Sequence, residues 1–456
     1  MKHYAPNEAI AAIATALGPS ALAVIRTSGT DCINLVSRIF SRPKALLEAD
    51  ANSLVYGWIQ NGNEKIDEVM LGVYRAPKSF TGEDMVEIFC HGGSSPVIAV
   101  YRLLLQNGFR GAEAGEFTFR AFINGKTDLT RAEAVKEIID SKTDASRSRA
   151  CGRLAGSLYE ELESIKKDIL FALSALEADI EYPEDENAVA GAFNPASLTE
   201  ARDKLASLIS SWECEKLYQD GVRMVLCGRT NAGKSSLFNT LLKEERAIVS
   251  DIHGTTRDWI ESRLSFGGIP VRLFDTAGLR ETDDIVEQAG VERTMDLSSD
   301  ADLILYLIDA SEGASPEDER TVEKLKAGGK PLVIVRNKID KAEVKDGLFK
   351  DTVQVHVSAK NGQGIDDLTE AVKKLLFAGT HTERTQAGIG SLRQKQSADE
   401  ALESLNHAIS VPDLGLSPDA AVQDMEDALA FLGEITGEIS PDDILENIFS
   451  RFCVGK

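Results

Sequence analysis

The chain of 456 residues lacks any run of 18 apolar residues, so nothing in it reads as a helix crossing a bilayer. It also lacks a C-x-x-C pair: Cys32, Cys90, Cys151, Cys214, Cys227 and Cys453 are scattered. That scatter argues against a zinc site or a disulfide framework and suits a reducing cytoplasm. Five of the six read as small buried hydrophobes, while Cys453 stands apart in the C-terminal tail. There is no fixed-period repeat and no low-complexity stretch. Positive charge is in deficit, with 50 Lys and Arg against 73 Asp and Glu, a net charge of −23. Such an imbalance disfavours nonspecific nucleic-acid binding by the whole surface, but allows a local basic patch. The apolar opening "MKHYAPNEAIAAIATALGPSALAV" is interrupted by Glu8 and has only Lys2 as a basic flank, so a first β-strand is a better reading than an export signal.

What is present suffices for ordinary cores. The chain is 43% hydrophobic and 27% charged, and its length suggests two to four domains. Residues 1–120 mix the β-rich runs "LAVIRTS", "SLVYGWI" and "MVEIFC" with glycine turns and a helical run near 95–107, an α+β pattern. From 121 the pattern turns helical. Thr130-Arg131-Ala132-Glu133 has the form of a capping box. Leu154, Leu158, Leu162, Ile165, Ile169, Leu173, Leu176 and Ile180 fall on one apolar stripe of a long helix, which ends before Pro183. A second helix is expected near 198–217. Residues 220–378 alternate strand and helix, with "VRMVLCG", "VRLFDT", "DLILYLIDA", "PLVIVRN" and "VQVHVSA" as strands of a parallel sheet in a doubly wound α/β domain. After 378 the chain is helical again. The simplest architecture makes 220–378 an insertion in a helical domain built from 121–219 and 379–456. Separate helical domains are the alternative.

The inserted segment carries the chemistry. "GRTNAGKSS" matches G-x-x-x-x-G-K-[ST] at Gly228, Gly233, Lys234 and Ser235. Asn231, Ala232, Gly233 and Ser236 complete a loop whose backbone N–H groups can face phosphate oxygens at a helix N-terminus. Lys234 would reach the β- and γ-phosphates, and Ser235 would ligate Mg2+. At the end of a later strand come Asp275-Thr276-Ala277-Gly278, with Asp275 reaching Mg2+ through a water and the Gly278 N–H sensing the γ-phosphate. Asn337-Lys338-Ile339-Asp340 follows another strand. The Asp340 carboxylate can accept two hydrogen bonds from guanine N1–H and the 2-amino group, a pair adenine lacks. Ser358-Ala359-Lys360 supports the base from the last strand. Each motif alone is weak; in this order, each at the carboxyl end of a strand, they specify GTP. Between them, Thr255-Thr256 sits where a first switch belongs, and Thr256 could ligate Mg2+ while γ-phosphate is present.

One residue expected in a GTPase is missing. In the small GTPases a glutamine follows the glycine of the Asp-x-x-Gly motif and orients the attacking water. Here that position is Leu279, which cannot hold a water.

With "GRTNAGKSSLFN", "GTTRD", "DTAGLRET", "SFTGEDMVEIFCHGG", "GEFTFRAFINGKTDLTRAEA" and the tail "FCVGK", the whole chain resembles the MnmE (TrmE) family of tRNA-modifying GTPases. It departs from the family's pattern at Thr230 and Ala114, where proline is usual, and in a first strand with less glycine. The resemblance implies a multidomain fold: an N-terminal α+β folate-binding-like domain (1–120) that also dimerises, a discontinuous α-helical domain (121–219 and 379–456), and an inserted α/β P-loop GTPase domain (220–378). It further implies a cytoplasmic K+-activated GTP hydrolase, with no membrane association. With an FAD-dependent partner, MnmG (GidA), such an enzyme adds aminomethyl or carboxymethylaminomethyl groups to carbon 5 of the wobble uridine of certain tRNAs. A homodimer and a mixed heterotetramer are the assemblies expected. Carried over by position, K+ would be held by Asn231, Ser250, Ile252 and Thr255, in the place an arginine finger takes elsewhere. Glu287 would orient the water, which leaves Leu279 as packing. Arg26, Glu87, Lys126 and Lys456 would bind 5-formyltetrahydrofolate or a related folate. Cys453 could be a catalytic thiol or a structural tail residue, and the resemblance does not decide between them. On the residues alone, Asn231 could also serve an Asx turn, and Glu287 could be a solvated carboxylate. Two other functions share the GTPase motifs: a ribosome-assembly GTPase and a nucleotide-gated scaffold. Neither accounts for "FCVGK" or the N-terminal positions.

Overall fold

The computed structural model describes residues 8–181, 195–244, 260–275, 300–342, 347–377, 388–439 and 442–456. The chain divides into two compact units. The first comprises 1–136, 154–202 and 396–456, and the second 137–153 and 203–395. Each is built from segments distant in sequence, because the second lies within the span of the first.

In the first unit six strands form one sheet in the order β3-β4-β5-β2-β1-β6. They are β1 (Ile10–Ile13), β2 (Ser20–Ser28), β3 (Ser53–Asn61), β4 (Glu64–Tyr74), β5 (Met85–Gly92) and β6 (Arg110–Gly111). All pairs are antiparallel except β1 with β6. Side chains alternate between the two faces. Ala23, Ile25, Val55, Val69, Leu71, Val73, Val86 and Ile88 pack with the helices Cys32–Ser37, Pro43–Leu47 and Ser94–Gln106 in one core. The alternation that buries Ile25 and Ile88 puts Arg26 and Glu87 side by side on the opposite face, where they are direct cross-strand partners.

The helical part of this unit is built on Ser157–Glu181, which packs along Pro418–Thr436. Leu158, Leu162, Ile165, Ile169, Leu173 and Leu176 are buried. The stripe expected from sequence is shorter than read. Leu154 belongs to the preceding helix, Asp144–Ala155, because Gly156 at φ 111° separates the two, and both Leu154 and Ile180 are exposed. The expected capping box is also displaced. The helix runs Leu129–Asp140, and the Asp128 carboxylate accepts the Arg131 N–H at 3.1 Å. Asp128 therefore caps a helix that starts before Thr130, whose own hydroxyl donates to the same carboxylate. The terminal helix Asp442–Phe449 joins Phe119, Leu129, Ala132 and Phe452 in a small aromatic core, with Phe119 and Phe449 edge to face at 5.4 Å.

In the second unit the strands are β7 (Val222–Gly228), β8 (Ile260–Phe266), β9 (Ile269–Asp275), β10 (Leu303–Asp309), β11 (Leu332–Asn337) and β12 (Val353–His356). Their order is β12-β11-β10-β7-β9-β8. Five are parallel as expected; β8, which the sequence reading missed, pairs antiparallel with β9 at the edge. Every residue of β10 is buried, the pattern of a central strand covered on both faces. Helices Lys234–Glu244 and Ile365–Leu376 cover one face through Leu237, Leu241, Ile365, Leu368 and Val372. Pro316–Ala327 covers the other through Val322 and Leu325. The expected helix near 198–217 is two helices, Pro195–Ser210 and Trp212–Asp220.

Candidate nucleotide site and N-terminal cluster

The loops that carry the GTP motifs leave the carboxyl ends of β7, β9, β11 and the segment after β12, where an open α/β sheet binds its ligands. The loop after β7 curls through three residues of positive φ: Gly228 at 134°, Asn231 at 64° and Gly233 at 97°. A Cβ on Gly228 would lie 2.3 Å from the Leu307 carbonyl oxygen, and one on Gly233 would lie 2.1 Å from Asn337 Nδ2. Both positions therefore need glycine for space as well as for φ. The Lys234 ammonium folds back over the loop, donating to the carbonyls of Gly228 at 2.7 Å and Arg229 at 2.8 Å. Ser235 and Ser236 are exposed in the first turn of the following helix. The backbone of Asp275 pairs with Leu226 beside the start of this loop.

The base loops are tied directly to the phosphate loop. Asn337, buried at the end of β11, donates from Nδ2 to the Ala232 carbonyl at 2.9 Å, and its Oδ1 accepts the Ala359 N–H at 3.0 Å. One amide thus holds three loops together. The Thr240 hydroxyl adds a third tie, donating to the Ala359 carbonyl at 2.6 Å. Ser358 Oγ donates to Asp340 Oδ1 at 2.7 Å. That bond holds the Asp340 carboxyl below its usual range, so it is a ready anionic acceptor at neutral pH. Lys360 is exposed beside it. Lys338 Nζ donates to the Asn231 carbonyl at 2.6 Å and to Asp309 Oδ2 at 2.5 Å. Asp309 was not singled out from sequence. Its only signal is a lone carboxylate closing the otherwise apolar run "LILYLID".

Ser250, Ile252, Thr255, Thr256, Thr276, Ala277, Gly278 and Glu287 lie outside the described residues.

In the first unit, Arg26, Glu87 and the chain end converge. Arg26 Nε donates to Glu87 Oε1 at 3.0 Å, and Nη1 donates to the Gly455 carbonyl at 3.0 Å. Glu87 Oε2 accepts from the Tyr74 hydroxyl at 3.2 Å. The rings of Phe80 and Phe117 lie 4.8 and 5.0 Å from the guanidinium carbon. Burial lowers the Arg26 pKa, and the Glu87 carboxylate only partly offsets this. The tail is built into this site. The Phe117 N–H donates to the Lys456 carbonyl at 3.2 Å, Ala114 bridges Val454, and Gly455 turns at φ 93°. Cys453 is an exposed free thiol whose carbonyl accepts from Gly115 and Lys456. Lys126 is exposed and donates to the Pro77 carbonyl at 2.9 Å, on the loop that leads to Phe80. Beneath that loop lies an ion network that sequence reading missed. Arg120, fully buried, bonds Glu116 at 2.8 Å and Glu83 at 3.0 Å, and Arg110 bonds Glu116 at 2.6 Å. Its signal was the spacing of Glu116 and Arg120, four apart on one helix.

Two family models match the chain. Residues 9–126 match the model of the GTP-binding protein TrmE N-terminus, and residues 129–453 match that of the MnmE helical domain. The chain is 50% identical over 470 residues to the tRNA modification GTPase MnmE of Treponema denticola, covering 99% of each. It is 41% identical over 494 residues to that of Treponema pallidum, covering 99% of each. It is 41% identical over 457 residues to that of Borrelia turicatae, covering 98% of each. A GTP-hydrolysing enzyme with its phosphate and base loops braced in this way, the chain belongs to the MnmE (TrmE) family of tRNA modification GTPases.

Proposed function

We propose that this GTPase is activated by K+ and, with an FAD-dependent partner of the MnmG (GidA) type, modifies carbon 5 of the wobble uridine of certain tRNAs with a one-carbon unit from a folate. The observation that carries the reading is the three-way brace of Asn337, which joins the phosphate loop to both base loops. It supports a site that grips the base and phosphates of GTP together.

The donor set suits the expected groups. Lys234, poised on carbonyls that a phosphate can replace as partner, would hold the β- and γ-phosphates. The Ser235 hydroxyl and Thr256 would hold Mg2+, with Asp275 reaching it through water. Bound Mg2+ supplies charge neutralisation at the β- and γ-oxygens. Asn231, at positive φ in the loop beside the phosphates, would hold K+ together with Ser250, Ile252 and Thr255. K+ there would supply the positive charge that an arginine finger supplies elsewhere, a device worth roughly 10^3 to 10^5 in rate. Glu287 would accept a hydrogen bond from the attacking water and orient it.

In the first unit, Glu87 offers a bidentate acceptor for the edge of a pterin with Arg26 paired beside it, and Lys126 and Lys456 offer cations for the glutamate tail of a folate. Phe80 and Phe117 give the Arg26 site an aromatic wall. A homodimer, a heterotetramer with the FAD protein, a cytoplasmic location and the four-segment division at 120, 219 and 378 belong to the same proposal. Among the described residues no helix is long and apolar enough to cross a membrane. The net charge of −23 makes tRNA a poor partner for this chain alone, so the FAD protein would supply much of the basic surface.

GTP turnover in KCl against NaCl tests the cation, and turnover equal in the two salts would remove it from the reading. Nucleoside mass spectrometry of tRNA from cells lacking the protein tests the modification. Unchanged wobble uridines would overturn it and favour a ribosome-assembly GTPase.

A further inference from the structure

Lys338 belongs to the base loop, yet its ammonium rests on the phosphate loop, against the carbonyl of Asn231. Asn231 sits at φ 64°, a left-handed conformation that asparagine tolerates better than most residues, and the Lys338 ammonium fixes where that turn lies. The group holding Lys338 in place is Asp309. Its side chain is 9% exposed, and both carboxylate oxygens are committed. Oδ2 takes the Lys338 ammonium at 2.5 Å, while Oδ1 takes the Ser311 backbone N–H at 2.9 Å and the Ser311 hydroxyl at 2.6 Å. Asp309 is also the cross-strand partner of Asn337, whose carbonyl accepts the Ala310 N–H at 2.8 Å. The end of β10 is thus a fixed anchor from which a carboxylate reaches, through one ammonium, to the turn before the phosphate-facing amides.

We infer that Asp309 is a positioning residue for nucleotide binding: through Lys338 it locks the Asn231 turn of the phosphate loop to the base loop. Asp309 belongs to none of the GTP motifs and would act on nucleotide only through Lys338. Burial alone would raise its carboxyl pKa, but the hydrogen bonds from Lys338 and Ser311 outweigh burial and keep it below the ordinary range. The anion is therefore present throughout the neutral range. An ion pair this buried would cost stability when broken and need do nothing else. A positioning residue acts on nucleotide release, and only while Lys338 is there to be held.

The test is the dissociation rate of a fluorescent GDP analogue (mant-GDP) from the full chain, measured for the parent, D309A, D309N, K338A, D309A/K338A and D309N/K338A. D309A should speed release about tenfold, equivalent to about 1.4 kcal/mol. D309N keeps the shape and one acceptor and should speed it about threefold. In the K338A background D309A should add less than twofold, the non-additivity of two groups acting as one. Equal acceleration by D309A with and without Lys338 would overturn the inference. So would a parental release rate in D309A accompanied only by a lower Tm. Should D309A fail to fold, D309N decides on the same comparison: faster release only when Lys338 is present supports the inference, and any other result overturns it.

Discussion

A methyl group on Gly233 would meet Asn337 Nδ2 at 2.1 Å on a backbone at φ 97°. It would displace the amide that braces three loops and strain its own backbone, together costing a few kcal/mol at ~1–3 kcal/mol for the strain alone. Gly233→Ala should therefore weaken GDP binding at least tenfold by fluorescence titration while far-UV circular dichroism stays parental. Glu287→Ala should retain GTP binding and lose most K+-stimulated turnover, and turnover equal to the parent would return Glu287 to an ordinary solvated carboxylate. The carboxyls of Asp309 and Asp340 are both held below their usual range. A depressed carboxyl contributes above its unfolded value, about 4, and its contribution is lost as pH falls through the folded one. Once the second ionisation of the GDP terminal phosphate, at about pH 6, is allowed for, the protein's contribution to GDP affinity should be flat from pH 8 to about 5 and fall only below about 4; a further decline near pH 6.5 would mean that another group of the protein titrates. These residue-scale assignments differ in legibility. The glycines and Asp340 sit in motifs whose chemistry the sequence states. Asp309 does not, because its role depends on a lysine 29 positions away.

At the scale of elements, strands and helices were legible where one physical signal dominated. The uniformly apolar run of β10 and the alternation in β2 left little choice. The errors fell at boundaries. Leu154 fits the stripe of the long helix by spacing, but Gly156 at φ 111° ends the register, and a Cβ there would lie 2.3 Å from Arg131 Nη2. Thr130 looks like a cap because the sequence does not show that Asp128 has already taken that role. β8 was missed because its partner β9, not its own pattern, makes it a strand. Within the helix Ser157–Glu181, Leu162 is fully buried, so Leu162→Ala should cost ~2–5 kcal/mol, read as a lowered urea midpoint with GTP turnover per folded molecule unchanged. Asn337→Ala strands the Ala232 carbonyl and the Ala359 N–H, at ~1–3 kcal/mol for each buried unpaired group. Its effect should appear as faster GDP release as well as a lower Tm. A change in Tm alone would mean the brace is structural only.

Across the whole molecule, the tail shows how distant segments build one site. Residues 453–456 end the chain, yet Gly455 accepts from Arg26 and Lys456 from Phe117. Removing the last four residues should weaken binding of 5-formyltetrahydrofolate, measured calorimetrically, while GDP affinity stays within twofold. Undiminished folate binding would place the tail outside that site. The −23 charge makes a second whole-molecule prediction. tRNA affinity should be weak for this chain alone and stronger, with a steeper salt dependence, for the proposed complex with an FAD-dependent protein. Similar affinity and salt slope for both would locate the basic surface on this chain.

The sequence by itself determined the nucleotide and the family, because a phosphate loop, a guanine-reading aspartate and their order along a parallel sheet are local patterns with local physical causes. It also determined which runs had to be buried. Tertiary structure alone decided which residues act together: Asn337 across three loops, Asp309 through Lys338 onto Asn231, and the chain end against Arg26. The physical reason is that a hydrogen bond joins groups by distance in space, and the separations here run to 429 residues, far beyond any periodicity a sequence displays.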